Sequence, residues 1–309
     1  MGNAQSSLGY FKPKTPKILK RKSKHSLFNP TSPPIPTPYV PKFTDLEHEE
    51  QLGGFSDVID YILGRPLISP LEPSAENILL ITANGLSTIP QLLRMFPGAR
   101  ITYHDMIPTS GNPETDLMDG RERVSQAPLD LFSDTLSLPS NKYDLVLLRQ
   151  INRSLPEERW IPLLREARRV CRTGGFVEVI GFNGDVQGAG VGVQRAVDAL
   201  RDITGEHQIK LGLVDELGPV YMTVGLPPPT HSSFQCPMGS WGGVVGKMTQ
   251  KFVKGYVEII IASLRRSNQH KLADEFESMV KPWEDGLDHS EAYLVIHDLF
   301  AQVQGPEEN

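Results

Sequence analysis

Residues 77–88 read Asn-Ile-Leu-Leu-Ile-Thr-Ala-Asn-Gly-Leu-Ser-Thr, an apolar run that enters a short turn of small residues, and helix-like spacing follows over Ile89–Phe96. A strand, a tight turn and a helix in this order form the place where a parallel sheet receives a nucleotide-type ligand. Small side chains there let the main chain come close. Ala83, Asn84 and Gly85 would make that approach, and Asn, like Gly, tolerates left-handed backbone angles. Asp105 ends the next apolar run, 25 positions after Leu80, with Met106 beside it. An acid at such a strand end can accept hydrogen bonds from ribose hydroxyls.

The elements that must hold these residues follow from the patterning. Apolar residues at helical spacing fill 45–63 and stop before Gly64-Arg65-Pro66. Buried strands are expected at Ile78–Ile81, Ala99–Tyr103, Tyr143–Leu148 and Phe176–Ile180. A helix is expected over Glu157–Cys171, with Trp160, Leu163, Leu164, Ala167 and Val170 on one side and a stop at Thr173-Gly174-Gly175. Alternating strands and helices imply a doubly wound, mostly parallel α/β sheet of Rossmann type. Gly181–Gln194 reads as a flexible glycine-containing loop near the pocket mouth. It lacks the Lys-Ser/Thr ending of a phosphate loop. Residues 225–240 read as a loop in a helical lid insertion placed before a last strand at Tyr293–Phe300. Trp241 either caps that lid or anchors the Val253–Leu264 helix.

The segment YDLVLLRQINRSLPEERWIPLLREARRVCRTGGFVEVIGF, residues 143–182, resembles the class I S-adenosylmethionine-dependent methyltransferases. More narrowly, it resembles the fungal LaeA-type methyltransferase family associated with secondary metabolism and development. Glu49, Glu50 and the Leu52–Leu63 helix are similar to the family's element before the cofactor strand. MGSWGGVVGKM, Met238–Met248, is similar to its Gly-x-Trp segment. The likeness covers roughly residues 45–304. It implies S-adenosylmethionine as cofactor, held by Ala83, Asn84, Gly85, Asp105 and Met106. It also implies Asp134 near the adenine amino group, and Arg149 and Gln150 on the substrate side. Arg149 is open to a second reading, as a structural pairing that orients a loop. His104 is either a general base or a loop histidine near the adenosine.

The family's Asp-x-Gly-x-Gly-x-Gly turn is eroded here. Leu80 stands at the acid, and Thr82, Asn84 and Leu86 stand at the glycines. Two functions of different class follow. One is methyl transfer to a protein or a small secondary metabolite, which requires alignment more than a catalytic base. The other is a catalytically inactive regulatory scaffold of the same fold that binds a partner protein.

Charge is unevenly spread. Residues 1–25 hold seven Lys and Arg and no acid, leaving 24 basic and 37 acidic side chains in the rest. An acidic body argues against nucleic-acid binding by the folded domain, and a basic arm suits an anionic surface. Gly2 and Ser6 stand in the positions of an N-myristoylation signal. One acyl chain requires a second signal to hold a membrane, and the seven cations would supply it. The expected site is the cytoplasmic face of a membrane; the alternatives are a nuclear-import cluster built on KILKRKSKH or a solvated tail. Prolines 30, 33, 34, 36, 38 and 41 make an extended spacer, so the expected organisation is a disordered arm over 1–44, a domain over 45–304 and a tail over 305–309. Cys171 and Cys236 give neither a disulfide framework nor ligand spacing. His207, His231, His270, His289 and His297 are scattered, and no metal constellation is expected.

Overall fold

In the computed structural model, residues 55–83, 87–106, 120–205, 208–266, 268–280, 282, 286–287 and 290–305 are described. The arm, Asn84, Gly85 and Leu86 lie outside them, as do His207 and His289.

The chain opens with helix α1 (Phe55–Leu63) and then builds strand β1 (Asn77–Thr82), α2 (Thr88–Met95), β2 (Arg100–Asp105), a short β3 (Val124–Gln126) and β4 (Tyr143–Arg149). There follow α3 (Trp160–Val170), a 17-residue β5 (Cys171–Gln187), α4 (Val191–Gly205), α5 (Gly218–Thr223), β6 (Thr230–Pro237), α6 (Gly243–Arg266), α7 (His270–Val280) and β7 (Tyr293–Gln302). The seven strands form one sheet in the order β3-β2-β1-β4-β5-β7-β6. β3 through β5 are parallel to their neighbours, and β7 runs antiparallel to both β5 and β6. The expected mostly parallel, Rossmann-like sheet is therefore present, with an antiparallel final pair.

Local sequence explains the elements. All of β4 is buried, as a central parallel strand covered on both faces requires, so it reads as an unbroken apolar run rather than an alternation. Alternate residues of the central strands feed two cores. Ile78, Leu80, Leu145, Leu147 and Ile180 pack toward α1, α2, α4 and α6. Leu79, Ile81, Val146, Leu148 and Val179 pack toward α3 and Tyr221 of α5. Pro90 and Pro162 both fall in the first turn of their helices, where a missing N–H costs no intrahelical bond.

Two expected loops are ordered elements instead. Gly181–Gln187 is the second half of β5, paired with β7 as far as Gln187–Tyr293, and α4 begins at Val191. The glycines read as loop signals serve close packing: a Cβ on Gly181 would lie 2.7 Å from Asn152 Oδ1, and one on Gly184 would lie 2.5 Å from Leu211 Cβ. Within 225–240, residues 230–237 are β6, an edge strand with exposed residues on one side. The lid helix α6 is longer than expected. Its start is fixed to the strand before it: Gly239 N donates to Gly246 O at 3.0 Å, and Trp241 Nε1 donates to Met238 O and Ala292 O at 3.0 and 2.9 Å. Trp241 thus anchors α6. Among the described residues no helix is long and apolar enough to cross a membrane.

Candidate functional site

The register levels three strand ends. Thr82 of β1 is opposite both Asp105 of β2 and Arg149 of β4. The ladder runs one residue further, with Met106 N donating to Thr82 O (2.8 Å), Ala83 N to Arg149 O (3.2 Å) and Gln150 N to Ile180 O (2.7 Å). Ala83, Asp105, Met106 and Gln150 therefore share one rim, at the carboxyl ends of the parallel strands. That is where open α/β sheets bind ligands. Asp105 and Ala83 are buried. His104 is tied to the segment after β3, since Leu129 N donates to its Nδ1 at 3.2 Å.

Arg149 is at the rim by its backbone only. Its side chain points into the α1 side of the sheet, where Nε donates to Ser56 Oγ (2.9 Å), Nη1 to Pro66 O (2.8 Å) and Nη2 to Ser56 O (2.8 Å) and the Asp60 carboxylate. The strand alternation sends residues 145, 147 and 149 to that face. Arg149 is a structural strut, the second of the two readings given by the sequence. Burial, opposed by the Arg149 guanidinium, raises the Asp60 carboxyl to about 6. Asp134 stands exposed, its Oδ1 3.3 Å from Arg159 Nη1 ahead of α3.

The cation that does reach the first turn is Arg153, which sequence reasoning passed over. Gln150 adopts φ +58, a conformation that costs a non-glycine residue about 1–3 kcal/mol. The chain then makes a 3-10 turn over Ile151–Arg153. This turn directs Asn152 Nδ2 to Phe182 O (2.9 Å) and Leu211 O (3.1 Å), and Arg153 Nη2 to Ala83 O (2.9 Å). The Arg153 guanidinium carbon is 4.9 Å from the Phe252 ring centre and 5.6 Å from that of Tyr256, both on α6. Phe252 in turn meets Phe182 of β5 edge-on at 6.0 Å. Burial lowers the Arg153 pKa to about 10, with the charges of Tyr256 and Asp105 pulling the other way. It remains a cation at neutral pH. A residue placed four positions after a strand-end Arg, between strand and helix, carries no periodic signal; only the fold assigns it.

Several buried polar atoms at this end of the sheet have no hydrogen-bond partner among the described residues: Thr82 Oγ1, both polar atoms of the Gln150 side chain, Asn152 Oδ1 and Arg153 Nε. Buried polar atoms are otherwise almost always paired. Asn152 Oδ1 packs against Gly181 of β5; the atoms of Thr82, Gln150 and Arg153 fit a polar ligand with several hydrogen-bonding groups. An adenosyl amino acid has such groups, with Asp105 at the strand end suited to its ribose. Leu80, at the family's acid, is fully buried in the apolar core. Among the described residues no group of three or more His, Cys, Asp or Glu could hold a metal ion.

No protein-family model matches this sequence, and no curated protein does. Similar solved structures include phosphoethanolamine N-methyltransferase 2 of Haemonchus contortus, crystallised with phosphomonomethylethanolamine and S-adenosylhomocysteine. It is 14% identical with a TM-score of 0.45, over 80% of this chain and 52% of that one. The chain thus spans about half the length of that protein. The [4+2]-cyclase SpnF is 17% identical with a TM-score of 0.41, over 81% and 80% of the two chains. The MccD protein is 11% identical with a TM-score of 0.47, over 80% and 97%. At these identities the likeness concerns the fold, and a fold alone does not fix a reaction.

Proposed function

We propose that this protein is an S-adenosylmethionine-dependent methyltransferase of the LaeA-like class, acting on a protein or a small secondary metabolite. The observation that carries the reading is the set of buried polar atoms of Thr82, Gln150 and Arg153, unpaired among the described residues, at the same end of the sheet as Asp105. The cofactor, when bound, supplies an activated methyl group on a sulfonium. The chain's own residues have the tasks of binding and alignment. Asp105 would accept from the ribose hydroxyls, and the Ala83–Gly85 turn would lie along the amino-acid portion. α6, through Phe252 and Tyr256, would keep water from that end of the site. The basic arm, with Gly2 acylated, would hold the domain at an anionic membrane surface on its cytoplasmic face.

A second reading, the non-catalytic scaffold, is favoured by Leu80. The family's acid is replaced there by a core side chain, which removes one anchor of the cofactor. Isothermal titration of the full chain with S-adenosylmethionine and S-adenosylhomocysteine separates the two. Saturable binding to both supports the enzyme, and no heat from either at millimolar ligand leaves the scaffold.

A further inference from the structure

We propose that His231 of β6 and His297 of β7 form a proton-operated latch on the edge of the sheet. Joined by one hydrogen bond, the pair holds residues 230–233 of β6 in place; with both rings protonated, it releases them. The latch is independent of the methyltransferase reading and stands whichever function the domain has.

The two rings meet across the last strand pair. His231 Nε2 lies 2.9 Å from His297 Nδ1, and the ring centres are 5.2 Å apart at a tilt of 35°. A neutral imidazole has one donor nitrogen and one acceptor, so the bond forms in either tautomeric arrangement. The two rings differ in surroundings. His231 is exposed, whereas His297 is buried and its Nε2 has no hydrogen-bond partner among the described residues. One added proton can sit on the outward nitrogen of His231, and the bond then becomes charge-assisted. A second proton puts an N–H on both facing nitrogens. The bond is lost, and two cations stand side by side, one of them out of reach of water.

The groups facing His297 set where this happens. Burial lowers its pKa, the carboxylate of Asp215 in the 3-10 turn Leu211–Glu216 opposes that, and His231 adds to it. Glu216 of the same turn is paired with Lys210. From the flanking strands, Gly181 of β5 and Ser233 of β6 stand opposite His297 and carry no charge. The Tyr221 hydroxyl of α5 donates to Leu299 O, and burial keeps it neutral. Asp298, next along β7, belongs to the other face by strand alternation. Coupled like charges titrate apart, so release is expected at least about one pH unit below the ordinary histidine value of about 6.5.

The extent of the release follows from how β6 is held. Its second half is tied to the rest of the fold: Cys236 Sγ and Thr249 Oγ1 of α6 are 3.2 Å apart, and Met238 N donates to Ala292 O at 2.8 Å. Among the described residues, His231 makes the one side-chain hydrogen bond of residues 230–233, and β6 has a neighbouring strand on one side only. Residues 227–229 are all proline and lack the N–H that would lengthen the ladder. Segments with few bonds open first. The release therefore ends at Phe234, which packs against the core, and the junction of Gly239 with Gly246 stays closed.

The test is hydrogen exchange of the full chain, read on a peptide spanning residues 230–233 between about pH 7.5 and 4.5, each variant against wild type at the same pH. In the wild type the open population is expected to rise about tenfold per pH unit below about pH 6.5, the slope of one linked proton. His231→Gln offers an amide in place of the ring and takes no proton, so it should remove that slope. Asp215→Asn should move the rise to lower pH, because a carboxylate that favours the second proton is gone. Peptides of β5 report on the whole fold and should stay protected. The same slope in His231→Gln, an unmoved profile in Asp215→Asn, a wild type protected throughout, or loss of protection in β5 together with β6 would each overturn the latch.

Discussion

Arg149 of β4 and Asp60 of α1 form an ion pair in the dry space between helix and sheet, with side chains 0% and 3% exposed. The pair uses up both partners. Asp60 Oδ2 also accepts from Gln91 Nε2 at 2.7 Å, which links α2 to the same point. An arginine that looks like a ligand contact in the sequence is thereby the strut that seats α1 under the rim.

Breaking that strut should be costly. Arg149→Met is expected to lower stability by about 3–5 kcal/mol, because it leaves the Asp60 charge buried without its partner. Arg149→Met combined with Asp60→Leu should recover part of the loss, but not all. The carbonyls of Ser56 and Pro66 lose their donors in either case. Urea denaturation of the three variants measures this.

A second buried acid should make stability depend on pH. Glu178 of β5 accepts from Ile68 N (2.6 Å) and Ser69 N (3.2 Å) and lies beside Asp298 of β7, its pairing partner being Phe300. Burial and the Glu178 carboxylate raise Asp298 of β7 well above the usual carboxylate range. A raised acid pKa means that the folded state holds a proton the unfolded state releases. The resulting stability is complete below about pH 4 and declines as pH rises through the folded pKa. Asp60 acts in the same sense, its share ending just above its pKa of about 6. Asp298→Asn should therefore flatten the decline in stability expected of the wild type as pH rises above about 4. Parallel profiles for the two proteins would refute it.

Glycine in the second half of β5 is expected to be a packing requirement. A methyl group on Gly184 would collide with Leu211, whereas one on Gly190, just before α4, meets nothing within 4 Å. Gly184→Ala should cost about 1–3 kcal/mol as overpacking, and Gly190→Ala should be close to neutral. Thermal unfolding of the pair is the check.

Reinstating the family's acid should not rebuild the site. Leu80→Asp places a carboxyl where Leu80 is fully buried among apolar side chains. The expected loss is at least about 3 kcal/mol, that of an uncompensated buried charge. Calorimetric titration should show no gain in S-adenosylmethionine affinity. Tighter binding in a stable variant would contradict this placement of Leu80.

For the arm, Gly2→Ala in the full chain should abolish sedimentation with membranes in cells that carry the acylating machinery, the cationic residues alone being too weak. Retention of the variant at the membrane would exclude lipidation as the anchor.

The central strands were legible because a parallel strand covered on both faces must be apolar throughout, as Ile78–Ile81 and Tyr143–Leu148 are. β6 was not legible: Thr230-His231-Ser232-Ser233 sits on a sheet edge, where polar side chains meet water and give no apolar run. β5 was cut short at Ile180 because Gly181 and Gly184 signal a turn when only the chain is seen. Their cause lies in Asn152 and Leu211, 29 and 27 positions away. The rim itself followed from Ala83 and Asp105. The choice between Arg149 and Arg153 did not, since it depends on which face of the sheet each side chain enters and on a backbone reversal at Gln150.

The close abutment of Gly246 on Gly239, where even one added carbon would lie 2.1 Å from a carbonyl oxygen, bears on how anything gets in. A helix welded to its preceding strand in this way cannot swing like a door from its first turn. Phe252 and Tyr256, two and three turns along, are carried on a fixed jamb. On the proposed reading a ligand would pass them with that jamb standing, and their side-chain rotations, rather than travel of the whole helix, would set the width of the passage.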